Sequence, residues 1–423
     1  MGVLALSLFA FLLIGMPIAA AFALVVFLNA EGLGIWLDTL SNIPYESVTS
    51  FALAAIPLFI LVGELMKRSG LARALAAILD RLLRRIRAAF GYIMIGASAF
   101  MGAITGSSVA TVAAIGAVVG PEMKARGYPR GYVAALNAAA GLLGVRVPPS
   151  IPLILYGSTV GVSITQLFIA TLLPGIVMIL AFALVHRFVS RRVLKGGHES
   201  SQTGAAPAAS PRHFQHGVAA LFLPVLVLGG IYGGYFTPTE AAAVACLYAL
   251  IVAVVQRSIP PKGFAAAFYS AAIPSAAILL IIAMTGVLNR ALVLNQVPQD
   301  LAAYAATLFA DPLLFRITVN LLLFVVGMFM ETNAAVLLMG PLLAPSAAAF
   351  GIDPIHFAII VVTNIEIGLL TPPLAANLYV AARTNDVPLT EMLRYFGWFL
   401  AAAIIVLLMI TYVPAISLWY TFL

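Results

Sequence analysis

Apolar stretches as long as a bilayer is thick recur along this chain, separated by short polar or basic breaks, from Leu4 to Leu423. Crossing the hydrocarbon as a helix takes ~20 apolar residues, so the pattern predicts a series of membrane spans. The first runs from about Leu4 to Leu28, with a Gly15-Met16-Pro17 break near its middle. The loop Asn29–Ser50 follows, with Glu31, Asp38 and Glu46 and no basic residue, and a second span, Phe51–Met66, ends at Lys67-Arg68. Residues 71–88 are amphipathic and hold Arg73, Arg81, Arg84, Arg85 and Arg87. At helical spacing this is an arm lying in the headgroup region with its cations toward water. The positive-inside bias puts that face in the cytoplasm and the acidic loop outside.

The segment Phe90–Gly120 is apolar but interrupted at Thr105-Gly106-Ser107-Ser108, and the next, Tyr132–Gly157, is broken at Gly144-Val145-Arg146-Val147-Pro148-Pro149. A span near Gln166–Phe188 leads into Arg191, Arg192 and Lys195. Residues 196–217, rich in Ser, Ala, Gly and Pro, read as a flexible cytoplasmic linker. Spans near Val218–Tyr235, Glu240–Gln256 and Phe264–Leu288 follow, with Arg257 and Lys262 between the last two. The charges fix how Phe90–Gly120 runs. If it enters and returns on one side, the basic clusters at Arg191 and Arg257 both fall in the cytoplasm; a full crossing would put both outside. Residues 90–120 are therefore expected to form a re-entrant hairpin.

The chain also repeats itself. Gly127 stands 21 residues before Pro148-Pro149, and Gly351 stands 21 before Pro372-Pro373. At the resulting offset of 224, Gly116 meets Gly340, Pro121 meets Pro345, Gly144 meets Gly368, and the tip Ser107-Ser108 meets Glu331-Thr332. Ala55-Ile56-Pro57 matches Ala272-Ile273-Pro274 at a slightly different offset. A co-linear series of this kind marks an internal duplication. Five crossings separate the two hairpins, so the second, residues 311–349, enters from the opposite face. The expected architecture is an all-α integral membrane protein of two inverted halves, 1–195 and 218–423. Each half has one hairpin (90–120, 311–349) and one Pro-Pro-broken helix (132–157, 355–382), a device of secondary transporters.

Composition removes the other classes. Sixty-three per cent of the 423 residues are hydrophobic, 9% are charged, and the mean hydropathy is +1.10, whereas a soluble domain carries ~25% charged residues. The net charge of +7 sits beside apolar segments, where it reports topology rather than nucleic-acid binding. Met1–Leu28 lacks a basic leader and is too long for a signal-peptide core, so it is expected to stay as a helix. Cys246 is the single cysteine. No Gly-x-x-x-x-Gly-Lys-Ser/Thr loop, His-Glu-x-x-His or Cys/His cluster offers an enzyme or ATPase signature.

Candidate chemistry lies where helices stop inside the membrane, because irregular backbone at that depth is tolerated only in protein or around a wet cavity. A Pro-Pro pair removes two donors and frees upstream carbonyls, for which a cation is the natural partner. One candidate ion site joins Thr105, Ser107 and Ser108 to the backbone around Gly144, Val147 and Pro148. The other joins Thr332 and Asn333 to Gly368–Thr371. The helix N-termini at both tips suit a carboxylate or sulfonate. Against this, a lone Pro or Gly in a span is commonly a kink or packing notch, and membrane hydroxyls often bond to their own helix. The breaks here occur twice, in register, each opposite a polar tip. Arg146, inside the first break, faces either the anion or a carboxylate, Glu331 or Glu366. Glu240, in Thr237-Pro238-Thr239-Glu240, reads as a helix cap.

These residues carry a family resemblance. Gly106-Ser107-Ser108-Val109-Ala110-Thr111, Pro121-Glu122-Met123-Lys124, Val147-Pro148-Pro149-Ser150-Ile151-Pro152, Phe236-Thr237-Pro238-Thr239-Glu240-Ala241-Ala242, Gly327-Met328-Phe329-Met330-Glu331-Thr332 and Ile367-Gly368-Leu369-Leu370-Thr371-Pro372-Pro373 with Asn377 resemble the large membrane subunit of tripartite ATP-independent periplasmic (TRAP) transporters, over nearly the whole chain. The resemblance implies a sodium-driven importer of carboxylates or related organic anions in the bacterial inner membrane, moving as an elevator. It also implies two partners, a small four-helix membrane subunit and a periplasmic substrate-binding protein. Its sodium sites would lie at the tips and breaks: Thr105, Ser107, Ser108, Gly144, Val147 and Pro148 for one, Gly327, Glu331, Thr332, Asn333, Gly368 and Thr371 for the other. Arg146, Ser150 and Asn377 would face the substrate. Arg146 departs from the family, which usually has an apolar residue there. The competing readings are a proton-coupled or stand-alone anion transporter and, from another class, a channel or membrane scaffold.

Overall fold

The computed structural model describes residues 2–32, 41–83, 85–194, 211–309 and 311–422, and among these the chain is helical with no strand. The helices that matter here are α1 (Gly2–Leu13), α2 (Ile18–Asn29), α3 (Ile43–Val48), α4 (Ala55–Arg68) and α5 (Leu71–Leu83). Next come α6 (Ala89–Thr105), α7 (Ser108–Ala125), α8 (Arg130–Gly141), α9 (Leu143–Arg146), α10 (Ile151–Val160), α11 (Ile164–Ala170) and α12 (Leu172–Val193). The rest of the chain gives α13 (Pro211–Tyr232), α14 (Pro238–Val255), α15 (Pro261–Leu294), α16 (Val297–Leu308), α17 (Pro312–Phe329), α18 (Thr332–Ala349), α19 (Pro354–Gly368), α20 (Ala376–Asn385) and α21 (Leu389–Tyr412). Among the described residues six helical stretches are long and apolar enough to cross a membrane, seven if the bent pair around Pro148-Pro149 is one span.

Local chemistry sets the boundaries. Proline occupies the first turn of α14, α15, α16, α17 and α19, where its fixed φ helps and its missing N–H is not needed. Thr237 and Glu240 cap α14 reciprocally, with Glu240 accepting from the Thr237 backbone at 2.8 Å, as the sequence led one to expect. Asp353 accepts from the Ile355 and His356 N–H groups and so opens α19. The break at Gly15-Met16-Pro17 separates α1 from α2.

Several boundaries differ from the sequence reading. Residues 211–217, assigned to the linker, belong to α13; Pro211 suits a first helical turn, and the rest of that linker lies outside the described residues. The amphipathic arm ends as a helix at Leu83 rather than at Ala88, which adopts a left-handed conformation (φ 56°) just before α6. The span expected near Phe264–Leu288 is the 34-residue α15, continuous through Pro274. The stretch Asn29–Ser50 contains the short helix α3, and Asp38 within it lies outside the described residues.

The offset of 224 recurs in the element bounds. Helices α7 and α18 both have 18 residues and start 224 positions apart, at Ser108 and Thr332. Helix α6 pairs with α17, the run α8–α9 with α19, and α10 with α20, and Pro148-Pro149 and Pro372-Pro373 are both cis. The axes on either side of the first pair differ by 42°. In each half a glycine on the hairpin's first arm crosses a glycine at the break. A Cβ on Gly102 would lie 2.6 Å from the Gly144 Cα, and one on Gly368 would lie 2.7 Å from the Gly327 Cα. Only glycine lets two backbones come this close.

The halves interleave. Helix α10, from the first half, packs on α18 of the second, and α20 packs on α7 of the first. The contacts correspond: a Cβ on Gly340 would meet Tyr156 at 3.1 Å and Val160 at 3.5 Å, and one on Gly116 would meet Thr384, the repeat mate of Val160, at 3.1 Å. Around this core stand α2, α4, α14 and α15, packed on one another. Long apolar side chains such as Leu180, Leu247 and Leu321 stay exposed on outer faces, the surface lipid would cover.

Gly368→Ala is expected to destabilise the protein by ~1–3 kcal/mol, because the atoms in its way are backbone and cannot move aside. Gly229→Ala, with nothing within 4 Å of the new methyl, should be neutral or stabilising by up to ~1 kcal/mol. Thermal unfolding of the two purified variants in detergent checks the contrast; equal midpoints would contradict the crossing.

Candidate functional site

Both hairpin tips open into one cavity of about 320 Å³. The first tip contributes Thr105 to Ala110 and the second Glu331, Thr332 and Asn333; α4 supplies Gly63, Glu64 and Lys67, and α15 supplies Pro274 and Ile278. Four helices begin at its wall, α7 at Ser108, α10 at Ile151, α18 at Thr332 and α20 at Ala376. Each presents N–H groups that no intrahelical carbonyl can satisfy. Ser107 caps α7 and Glu331 caps α18, whereas α10 and α20 have no side-chain cap. The converging ends make a region of positive potential.

The first tip is a knot of oxygen atoms. Gly106 takes a left-handed conformation (φ 59°), which lets the chain turn from α6 into α7. Thr111 donates to the Ser107 carbonyl at 2.8 Å, and its hydroxyl lies 3.2 Å from that of Thr105. The Ser107 hydroxyl accepts weakly from the Ala110 N–H, at 3.4 Å. A Cβ on Gly144 would sit 2.6 Å from both the Ser107 carbonyl and the Thr111 hydroxyl, so the break and the tip touch. Pro148 and Pro149 have no N–H to return to the Gly144 and Val145 carbonyls. The Ser107 carbonyl and the hydroxyls of Thr105 and Thr111 are hard oxygen ligands within one small volume.

The second tip is more committed. The Glu331 carboxylate accepts from the Asn333 backbone at 2.9 Å, the Ala334 backbone at 3.3 Å and the Asn333 amide at 2.7 Å. Thr332 donates to Glu366 at 2.8 Å. Thr371 turns back to its own helix, donating to the Ile367 carbonyl at 3.3 Å, and the Gly368 carbonyl accepts from the Thr371 N–H. Gly327 is taken up by the crossing with Gly368. Of the residues named for this site, Glu331, Thr332 and Asn333 line the cavity; Gly327, Gly368 and Thr371 stand behind it.

Glu366 joins the halves. Its side chain is buried and lines the cavity, Thr332 of the second tip bonds to it, and the Ser108 hydroxyl of the first tip lies beside the same carboxylate. Glu331 and Arg146 are both within its electrostatic reach. Arg146 is buried, with both terminal nitrogens lacking hydrogen-bond partners, and no direct ion pair joins it to Glu366 among the described residues. Of the two roles open to it, the surroundings of Arg146 supply the carboxylate, and its side chain does not line the cavity. Ser150 and Asn377 are also fully buried, unpartnered and away from the cavity wall. Val147 and Pro148 lie at the break without reaching the wall, whereas Thr105, Ser107 and Ser108 are part of it.

Sequence reasoning missed Thr111 and Lys67 and gave Glu366 no part beyond a candidate partner for Arg146. The signal for Thr111 was present, since it falls one turn beyond Ser107 on the same helix. Glu366 stood out as a charge in an apolar run, but its contact with both tips needs the fold.

Known proteins give the chain a family. The family model described as "Tripartite ATP-independent periplasmic transporter, DctM component" matches residues 5–416. The chain is 36% identical over 416 residues to the isethionate TRAP transporter permease protein DctMQ of Oleidesulfovibrio alaskensis, covering 97% of this chain and 64% of that protein's length. It is 35% identical over 379 residues to the C4-dicarboxylate TRAP transporter large permease protein DctM of Pseudomonas aeruginosa, covering 88% of this chain and 87% of that one. With the sialic acid TRAP transporter large permease protein SiaM of Vibrio cholerae it shares 32% identity over 414 residues, 96% and 94% of the two chains. Among solved structures, the Alcanivorax borkumensis YdaH transporter superposes with a TM-score of 0.65 at 15% identity, covering 91% of this chain and 89% of that one. The Neisseria gonorrhoeae MtrF efflux pump gives 0.61 at 14%, covering 88% and 84%. Those two likenesses speak for the fold alone.

Removing Arg146 alone would leave the carboxylate of Glu366 without its buried cation, so Arg146→Leu should destabilise by ~3–5 kcal/mol. Glu366→Gln in the same chain should restore most of that loss. A double-mutant cycle on unfolding midpoints checks the coupling, and strictly additive losses would show that the two groups are independent.

Proposed function

The chain belongs to the DctM component family of tripartite ATP-independent periplasmic transporters, and from that premise we propose that it is the large membrane subunit of a sodium-driven importer of a small organic anion. The observation that carries the reading is the cavity where two hairpin tips and two half-helix N-termini meet. Relatives carry isethionate, C4-dicarboxylates or sialic acid by their names. A carboxylate or sulfonate is common to all three, and converging N-termini suit such a group. Sodium is the ion that fits hydroxyl and carbonyl oxygens at the first tip, and the Glu331–Thr332–Asn333 tip offers a second set. Ser150, Asn377 and Arg146 would then shape the cavity from behind its wall.

In this proposal the interleaved core α6–α10 with α17–α20 moves as one body against α2, α4, α14 and α15, in elevator fashion. The two hairpins are re-entrant and the broken helices meet them near the midplane of the bacterial inner membrane. A periplasmic binding protein delivers the anion, and a small membrane subunit completes the permease. The fused name of the isethionate relative, DctMQ, is in keeping with such a companion. A second reading, proton coupling, is favoured by Glu366, a buried carboxylate in the cavity wall.

Uptake into proteoliposomes holding the permease, its small subunit and the cognate binding protein tests the proposal. An inward sodium gradient with no pH gradient should drive accumulation; accumulation with a pH gradient alone would favour Glu366 as a proton carrier. Ser107→Ala and Thr332→Ala should each raise the sodium concentration for half-maximal uptake, by about tenfold for the loss of ~1.4 kcal/mol of binding. Arg146→Ala should change the concentration dependence for the anion more than that for sodium, and unaltered uptake at limiting anion would remove Arg146 from recognition.

A further inference from the structure

Among the described residues, a cavity that takes an anion is lined by three carboxylates, Glu64, Glu331 and Glu366, and by one ammonium, Lys67. Glu331 and Glu366 are occupied by hydrogen bonds from the second tip. Glu64 is held differently, by Lys67 Nζ at 3.2 Å and Arg68 Nε at 3.7 Å, both on its own helix. The two cations are not equivalent. Arg68 is anchored to α15, donating to Ser270 Oγ at 2.9 Å and to the Ala266 carbonyl at 3.2 Å. The Lys67 side chain, 51% exposed, pairs with Glu64, which is 20% exposed. A Cβ on Gly63 would lie 3.3 Å from the Thr105 methyl, so α4 passes the first tip at Gly63. Lys67 follows four residues on, about 6 Å along the axis, at the end of α4 that leads into the arginine-bearing α5. The flexible lysine stem lets the ammonium swing between Glu64 and the space before the tip.

We propose that Lys67 is the charge partner of the transported anion at the cavity mouth, and that Glu64 holds its ammonium when no anion is present. The inference rests on the anion-transport reading of the same cavity. On binding, the carboxylate or sulfonate takes the place of Glu64 on Lys67, while Arg68 stays beside Glu64. One ion pair replaces another, and no charge is left unpaired. An exposed pair of this kind holds by only ~0–1 kcal/mol, weak enough for an arriving anion to displace.

An ordinary helix-surface ion pair predicts something else, and signs separate the two. The test uses the purified permease with its small subunit in sodium chloride, titrated with isethionate, succinate and sialic acid, with the shift in unfolding temperature as the readout. For whichever anion shifts the wild type, Lys67→Met should weaken apparent affinity about tenfold, Glu64→Gln should tighten it about threefold, and the double variant should follow Lys67→Met. Lys67→Arg should restore most of the affinity. The unfolding temperature without anion reports any loss of fold separately. If Glu64→Gln and Lys67→Met move affinity in the same direction, or neither moves it while the wild type responds, Lys67 is not the anion's partner. A wild type that responds to none of the three overturns the anion reading itself, and the role of Lys67 with it.

Discussion

A helix that stops inside hydrocarbon leaves N–H and carbonyl groups with no water to take them. On the re-entrant reading this chain makes four such stops, two where hairpins turn and two where proline pairs break a helix, and the rest of its architecture answers to them. The stops are satisfied by being set against one another. The Thr111 hydroxyl takes the Ser107 carbonyl, the Thr105 hydroxyl stands beside it, and Gly144 at the first break is pressed against that same knot. For the ends to meet, the elements bearing them must approach closer than side chains permit, which is why Gly102 faces Gly144 and Gly327 faces Gly368. N-termini from both halves reach one cavity, so the positive ends add instead of cancelling, as an inverted repeat would require.

The interleaving keeps that arrangement in place. Because α10 rests on α18 and α20 on α7, neither half keeps its hairpin packed without the other. Glu366 completes the join with hydroxyls from both tips about one carboxylate. The same grouping gives the cavity an electrostatic character that tip geometry alone would not. Four helix ends favour an anion, yet Glu331 and Glu366 oppose it, and Arg146 offsets only part of their charge. On the sodium-symport reading this conflict is useful. An anion is poorly received by the empty cavity and better received once a cation has entered, and by linkage the anion favours the cation to the same degree. Coupling then follows from charge in a shared space and needs no longer-range relay.

Much of this was legible in the sequence because the features that carry it are glycines and prolines, whose backbone consequences are local. A Pro-Pro pair removes two donors wherever it falls, and Ser107 ahead of a helix is a cap in any fold, so the tips, the breaks and their repetition could be read from spacing. What spacing could not give was which side chains turn inward. Thr371 matches the pattern of an ion ligand but bonds to its own helix. Ser150 and Asn377 follow the proline pairs yet are buried away from the cavity. Arg146 was suspended between anion and carboxylate, and only packing brought Glu366 within its reach. Lys67 read as a topology marker, since nothing in the sequence says that α4 runs past the first tip.

That passage of α4 bears on movement. At the level of the tip the contact between surround and core is Gly63 against the Thr105 methyl, and no hydrogen bond crosses there among the described residues. On the other wall, α15 presents Pro274 and Ile278 to the cavity. Farther from the tip a hydrogen bond does cross, from the Asn289 amide on α15 to the Leu337 carbonyl on α18 at 3.1 Å. At the tip itself a surface of small and apolar groups can slide without leaving a buried polar atom unpaired, whereas the core's own joints, the glycine crossings and the Glu366 bonds, would lose more by separating. The elevator reading takes the weaker seam to lie between core and surround, with the core displaced as one body in preference to rearranging within. On that reading a residue on the fixed side of the seam, such as Lys67, would meet the anion only over part of the core's travel, which suits a group that receives or releases substrate rather than one that accompanies it.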